Sequence, residues 1–332
     1  MSRGSTLGAI RQPSHDLLRL TSRIARMYYE QGIGQVRIAE QLGLSQTRVS
    51  RLLKQAESLG IVRITVHVPE GVHADIEQQL EARYGLDTLI VVEVSDADAQ
   101  NDEAINQALS ATVAAHLELV VPNFAHVGVS SWSAALLAAV NQMRPVGHAE
   151  TRTVVQVLGG LGLASAQVFA TRLTERLAQL TKAEAVFMLA PGVVSSLDAK
   201  RAMLAEPACR QALERFDDLS ALLMGIGALP PSRMLRESGD VFTEQDLAEL
   251  REAGAVGDVC MRFYDADGRH LETPFDAHVL GIGVDQLRRT RRRIGVAGGL
   301  RKFDAIRGAL RGGWLSTLIT DLRTAQRLLA NP

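Results

Sequence analysis

Eight short apolar runs, most of them rich in valine and isoleucine, recur between residues 89 and 321: LIVVEV, AHVGVS, TVVQVLGG, AVFMLA, ALLMGIG, HVLGIG, IGVAGG and LITD. Stretches with helical periodicity separate most of them. A strand that reads as a continuous apolar run is covered on both faces, and helical crossovers between parallel strands supply both covers. The pattern predicts an α/β domain built on a largely parallel sheet with helices on both faces. No motif recurs at the spacing of roughly 20–50 residues that solenoids and propellers show.

In open sheets of this kind, ligands bind in the crevice outside the carboxyl ends of the strands. Several runs end there in glycine or a small hydroxyl residue. In GVSSWSAAL, Gly128 to Leu136, Ser130, Ser131 and Ser133 fall between a strand and a helix that turns Leu136, Leu137 and Val140 inward. Amides and hydroxyls at such a turn can cradle an anion, while helix N-capping by itself accounts for one of the three serines. VLGGLG brings Gly159, Gly160 and Gly162 to the end of another run, without the G-x-G-x-x-G spacing of a dinucleotide site. The acidic residue further on is only Glu184, just before the next strand, so a nucleotide role is set aside.

GAVGDVCMRFYDADG places Asp258 after a Gly-rich turn, where its carboxylate can accept sugar hydroxyls. GVAGGLRKFDAIRGAL closes a strand on Gly298 and Gly299 and puts Lys302 in the first turn of the next helix, against the helix dipole. On spacing alone, a bound anion and a solvated surface charge explain Lys302 equally. Asp321 ends the last run and reads as an N-cap. RRTRRR, Arg288 to Arg293, lies beside Asp285 and reads as a solvated helix face. His126, His148, His270 and His278 do not cluster at metal-ligand spacing, so no metal site is expected.

The front of the chain follows a different pattern. Leu17, Leu20, Ile24, Met27 and Tyr28 mark an amphipathic helix from Asp16 to Gln31, ended by Gly32 and Gly34. A shorter helix, Gln35 to Leu42, turns Ile38, Ala39 and Leu42 inward, and Gly43 supplies the left-handed position of a sharp stop. Ser45 caps a third helix, without a full capping box because Arg48 stands three residues on. Val49, Leu52, Leu53 and Ala56 form its inner face. Gln46, Thr47, Arg48, Ser50, Arg51 and Lys54 point outward or sideways, with no carboxylate among them. Gln and Arg suit bidentate contacts to base edges, and Ser, Thr and Lys suit phosphates. Together with Gln35 and Ser45 these form the candidate DNA-binding set. Alternation of Val62, Ile64, Val66 and Val68 with Arg63, Thr65 and His67 predicts a strand or wing over 61–68.

A small helical bundle packed on a larger domain would show the same helices, and charge separates the two readings. The net charge of −1 conceals an asymmetry: residues 1–69 hold 10 Lys+Arg against 4 Asp+Glu, and the remainder 26 against 33. The basic end is where the helical pair lies, as a phosphate-facing end requires. With a boundary at PEG, 69–71, the expected organisation has three parts. Residues 1–14 form a disordered lead-in and 15–69 an all-α winged helix-turn-helix DNA-binding domain. Residues 70–332 form an effector-binding and oligomerisation domain. The helix Ala74 to Tyr84, with Ile76, Leu80 and Tyr84 on one side, reads as a connector or part of a dimer contact.

Composition narrows the class further. Hydrophobic residues make up 46% of the chain, and no run of about 18 apolar residues or signal-peptide stretch is evident, so neither secretion nor membrane insertion is expected. Cys209 and Cys260 are the only cysteines and have no thiol near them in sequence. That fits a reduced cytoplasm.

YYEQGIGQVRIAEQLGLSQTRVSRLLKQAESLGIVRITV, Tyr28 to Val66, resembles the helix-turn-helix of the SorC/DeoR-type sugar-responsive bacterial transcriptional regulators, and the likeness extends more loosely to the C-terminus. The resemblance implies a phosphosugar-isomerase-like effector domain. It implies that the loop Gly128, Ser130, Ser131, Trp132 and Ser133 contacts the effector, although Ser131 intrudes before Trp132 and Ser133 stands where the family often has glycine. It also matches Asp258 and Lys302 to positions that contact the effector's hydroxyls and phosphate. With Gly159, Gly160 and Gly299 these complete the candidate effector set. The expected function is regulation of carbohydrate or polyol catabolism genes by a small phosphorylated sugar or polyol. The expected partners are double-stranded operator DNA and further copies of the chain as a dimer or tetramer, with no cofactor.

An enzyme is the alternative, because phosphosugar isomerases and deaminases share that fold. Those enzymes carry Asp-Gly-His after a Gly-x-Gly loop, whereas GIGVDQL places Gln286 and Leu287 after Asp285. General acid/base work loses its histidine, and binding without turnover is expected.

Overall fold

The computed structural model describes residues 15–64, 69, 71–147, 150–162, 164–229, 231, 235–236 and 241–331, leaving aside the side chains of 164–170. The expected lead-in 1–14 lies outside the described residues. The chain divides into two compact units, 1–67 and 68–332.

In the first unit, α1 (His15–Ala25) runs on into a π-helical turn, Arg26–Glu30. After it come α2 (Gln35–Leu42) and α3 (Gln46–Ser58). Ile24, Met27, Ile38, Ala39, Val49, Leu52 and Leu53 make one core, with Leu17, Leu20 and Tyr28 packed at its edge. Gly43 ends α2 at φ 64°. Its amide donates to the Glu40 carbonyl at 3.4 Å and the Leu44 amide to the Ala39 carbonyl at 2.9 Å, the paired bonds of a Schellman stop. Ser45 then accepts the Arg48 amide at 3.3 Å and starts α3. The phenol of Tyr29 donates to Glu57 at 2.6 Å, tying the π turn to the far end of α3. That bond pushes the Tyr29 hydroxyl up to about 12.

The expected wing is not seen in its described part. Residues 61–64 form no strand, and 65–68 lie outside the described residues. Ile64 is 65% exposed, and no strand among the described residues of this unit offers the ladder that a lone extended segment needs.

The second unit is built on seven strands: β1 (Thr88–Val92), β2 (His126–Val129), β3 (Thr153–Gln156), β4 (Glu184–Val186), β5 (Ala221–Gly225), β9 (Arg292–Val296) and β10 (Thr317–Asp321). They line up as β1-β10-β9-β5-β2-β3-β4, every pair parallel. Successive side chains alternate faces, which is why neighbouring apolar residues of one strand fall in two different cores. Val154, Leu223 and Ile319 enter one core, under α5 (Asp102–Val120), α6 (Ala134–Gln142) and α7 (Ala164–Thr181). Val155, Leu222 and Leu318 enter the other core. That face is covered by α4 (Ala74–Tyr84), α9 (Pro207–Arg215), α13 (Phe303–Arg311) and α14 (Leu322–Ala330), with α8 (Leu197–Ala205) packed on α9.

The helical stretch Asp102–Asn123 is long and apolar enough by composition to cross a membrane. Here Ile105, Leu109, Val113 and Leu117 are turned into the core.

α4 is no free connector. Leu80 is fully buried, with Ile76 and Tyr84 beside it. Its Glu77 and Glu81 accept the Val91 and Leu89 amides at 2.9 and 2.7 Å, capping the outer edge of β1 where no strand pairs.

Seven of the eight apolar runs are sheet strands; HVLGIG is not. His278 ends a short helix, α11 (Pro274–His278), and the rest crosses the carboxyl end of β3 as isolated bridges, Leu158 to Gly281 and Val193 to Val279. A Cβ on Gly281 would stand 2.9 Å from the Val157 carbonyl oxygen, so the glycine permits this crossing. A three-stranded antiparallel sheet, β6 (Gly227–Ala228), β7 (Gly257–Val259) and β8 (Arg262–Tyr264), was not anticipated. Asp258 stands in β7, a short strand that follows the turn at Gly254. Strands of two or three residues are too short to show alternation. The helices α10 (Glu244–Glu252) and α12 (Val284–Arg289) complete the unit.

Candidate functional site

On the first unit, Ser45, Gln46, Thr47, Arg48, Arg51 and Lys54 are exposed, and Gln35 and Ser50 are half-buried. Arg48, Arg51 and Lys54 recur every three residues along α3, so they share a face. Among the described residues none of these three cations has a carboxylate partner.

In the second unit the chain leaves β2 toward β3 on one side and leaves β5 toward β9 on the other, so a crevice opens at the carboxyl ends of this adjacent pair. The Ser130 amide donates to the Leu223 carbonyl at 2.9 Å, drawing the serine loop over β5. A Cβ on Gly225 would lie 2.7 Å from Ser133 Oγ, so only a glycine lets the loop settle there. Ser133 caps α6 by accepting the Leu136 amide at 3.3 Å. Trp132 donates its indole N–H to the Gly159 carbonyl at 3.3 Å.

Asp258 reaches the crevice from β7 and accepts the Met261 amide at 3.0 Å. Cys260 and Met261 form the two-residue turn between β7 and β8 at φ 53° and 61°. Side chains other than Gly, Asn and Asp resist that region at about 1–2 kcal/mol each, so the hairpin's pairing holds a strained tip. Burial raises the Asp258 carboxyl to about 6, partly offset by the Met261 amide and the Lys302 charge. Lys302 is lowered by burial and by Arg301, partly offset by Asp102 and Asp258. It has no ion pair among the described residues. Burial pushes the Cys260 thiol up to about 12, although the Ser130 hydroxyl opposes it. A thiol held in that state is no nucleophile.

Ser130, Trp132, Ser133, Asp258 and Lys302 line one cleft of about 750 Å³. The other candidates lie off it. Gly128 is packed in β2, where a Cβ would meet Leu219, Leu222 and Val157 at 2.8 Å. Ser131 is buried, and its hydroxyl has no hydrogen-bond partner among the described residues. The backbones of Gly159 and Gly160 are bonded to their neighbours at Leu280, Ala190 and Gly192. Gly299 gives its amide to Asp321 at 2.6 Å. Residues not anticipated also reach the cleft: Asn101, Asp102 and Glu103 at the start of α5, Arg301, and the apolar Leu229, Phe242, Met261 and Phe263. The N-cap Asn101 ahead of two acidic residues was the one readable signal among them, because it marks a helix start beyond a strand end.

Elsewhere, Gln286 accepts the Gly283 amide at 3.1 Å and donates to Asp217 at 3.0 Å, on a separate groove. Within RRTRRR, Arg289 pairs with Asp217 and Arg292 with Asp87, each at 2.7 Å, and Arg293 donates to backbone carbonyls. The run is occupied in holding its own fold. Among the described residues no three His, Cys, Asp or Glu side chains gather as a metal site would need.

A doubly covered parallel sheet with a cleft of mixed polar and apolar lining at its carboxyl edge is the setting of a small-molecule-binding α/β domain. The family model described as "Putative sugar-binding domain" matches residues 71–330. The chain belongs to that sugar-binding domain family. It is 29% identical over 318 residues to the sorbitol operon regulator of Klebsiella pneumoniae, covering 95% of this chain and 98% of that one. It is 30% identical over 311 residues to the deoxyribonucleoside regulator of Bacillus subtilis (strain 168), covering 94% and 97%. The crystal structure of the full-length sorbitol operon regulator SorC from Klebsiella pneumoniae superposes with a TM-score of 0.69 at 29% identity, covering 96% of this chain and all of that one.

Proposed function

We infer that this chain is a DNA-binding transcriptional regulator of carbohydrate or polyol catabolism genes, controlled by a small effector. Residues 15–69 read operator DNA through α3, and residues 70–332 bind the effector and join copies of the chain into a dimer or tetramer in the cytoplasm. The observation that carries the effector reading is Lys302: a cation without an ion pair, partly shielded from water, beside Asp258 and the serine loop in a sugar-binding-family cleft. A buried charge is costly until an opposite one arrives, which supports a phosphorylated sugar or polyol as the ligand. The effector controls DNA binding only through different affinities for the DNA-competent and incompetent states.

The likeness over most of the chain to the sorbitol operon regulator and the deoxyribonucleoside regulator supports binding without turnover. The test is a thermal-shift screen of sugars, polyols and their phosphates, with operator release as the second readout. A stabilising phosphorylated ligand that shifts operator affinity, and loses both effects in Lys302→Ala, is the expected result. Saturable product formation from such a ligand would replace this reading with the enzyme.

A further inference from the structure

The walls of the cleft differ in their chemistry. Its volume of about 750 Å³ falls within the ~300–1,000 Å³ of pockets that enclose drug-sized ligands. The serine loop, Asp102, Glu103, Asp258, Arg301 and Lys302 form its charged and hydroxylic part, which leaves two further walls. The first is apolar, with Trp132, Phe242 and Phe263 in one cluster. Its rings are held: Trp132 by the Gly159 carbonyl, and Phe242 by stacking on Phe275 with centroids 5.0 Å apart. The second consists of Asn106 and Gln107 from α5 and Asn141 from α6. None of these three carboxamides makes a hydrogen bond among the described residues.

A ring-closed sugar has an apolar face of C–H bonds and a polar edge of hydroxyls. Aromatic rings carry a negative face that attracts C–H groups, and carboxamides both donate and accept, as hydroxyls do. An open-chain polyol is hydroxylated all along and cannot lie on the aromatic wall without burying unpaired hydroxyls. Resting on the effector reading above, we propose that the cleft takes a glycosyl-extended ligand. A ring-closed sugar unit sits on the Trp132 and Phe242 wall with its hydroxyl edge toward Asn106 and Asn141, and its far end carries the anionic group to Lys302.

Isothermal titration of the full chain tests this with the 6-phosphates of trehalose, sucrose, maltose and cellobiose against glucose 6-phosphate and glucitol 6-phosphate. At least one disaccharide phosphate is expected to bind about tenfold or more tighter than both smaller compounds, a difference of about 1.4 kcal/mol. The double variant Asn106→Ala, Asn141→Ala removes most of that advantage and leaves glucose 6-phosphate binding within about twofold. The proposal is overturned if the smaller phosphates bind as tightly as every disaccharide phosphate, or if the advantage survives in the double variant. If none of the six binds, the effector reading of the cleft fails and this inference fails with it.

Discussion

The carboxylate of Asp321 accepts the amide of Gly299 at 2.6 Å across the carboxyl ends of β10 and β9. It also accepts the Thr324 amide at 2.9 Å and the Thr324 hydroxyl at 2.6 Å, which starts α14. Gly299, at φ 91°, in turn accepts the Lys302 amide at 2.9 Å. One buried carboxylate thus fixes the turn on which Lys302 stands, without itself reaching the cleft.

Asp321→Ala removes the N-cap bond from the Thr324 amide, worth about 1 kcal/mol, and leaves the buried Gly299 amide and Thr324 hydroxyl unpaired at about 1–3 kcal/mol each. Unfolding by urea is expected to show a loss of roughly 3 kcal/mol or more, with anionic ligands bound more weakly because Lys302 loses its anchor. A variant as stable as the parent would show that this turn needs no external support.

How much of this was legible depends on the length over which each residue's environment acts. Val154 and Val155 face different cores, and a run apolar at every position is the trace of that; hence the parallel sheet could be read directly. HVLGIG has the same composition, but its course is set by contact of Gly281 with Val157 and Leu158, more than a hundred residues earlier, which no local pattern carries. Ser133 was readable as one N-cap among three serines. That Ser131 turns inward was not, because one backbone rotation decides it. Asp258 and Lys302 stand out separately in the sequence, and only the strand order puts them in one cleft. Residues such as Asn106 and Asn141 look like any solvated helix surface until the helices are placed.

Gly227 pairs with Asp258 in the small sheet, and a Cβ there would collide with the Asp258 carboxylate. Gly227→Ala must therefore rotate that carboxylate away from its present place. Strain of this kind costs about 1–3 kcal/mol, and sugar or polyol affinity is expected to fall about tenfold, about 1.4 kcal/mol, while operator binding persists. Calorimetry and a mobility-shift assay on the same preparation separate the two effects. Unchanged ligand affinity would place Asp258 outside the binding machinery.

Asp258 also sets a pH dependence. Its carboxyl titrates near 6 in the fold against an ordinary 3.8, so between those values the folded chain binds more protons than the unfolded one. Stability from this group is present at low pH, falls as pH rises through that window, and stays lower above it. A shift of this size corresponds to about 3 kcal/mol. Asp258→Asn abolishes the titration, so its stability relative to the parent should climb from about pH 4 to about pH 6 and then level off. A difference flat across that range, in urea unfolding at several pH values, would contradict the buried-carboxylate account.

Arg48 and Arg51 stand exposed on α3 and have no carboxylate partner among the described residues, so removing either leaves no buried charge and little change in stability is expected. Their consequence should appear with DNA alone. An arginine that meets phosphate weakens binding to all sequences and lowers the slope of log affinity against log salt by about 1, whereas one that meets a base edge costs about 1–3 kcal/mol at one position and relaxes specificity there. Arg48→Ala and Arg51→Ala, titrated against operator and scrambled duplexes at several salt concentrations, assign each side chain to one role. Ligand binding at the cleft of the second unit should remain that of the parent. Operator affinity unmoved in both variants would take both arginines out of the DNA interface and leave Lys54 as the one cation of α3 for the phosphates that dominate such affinity.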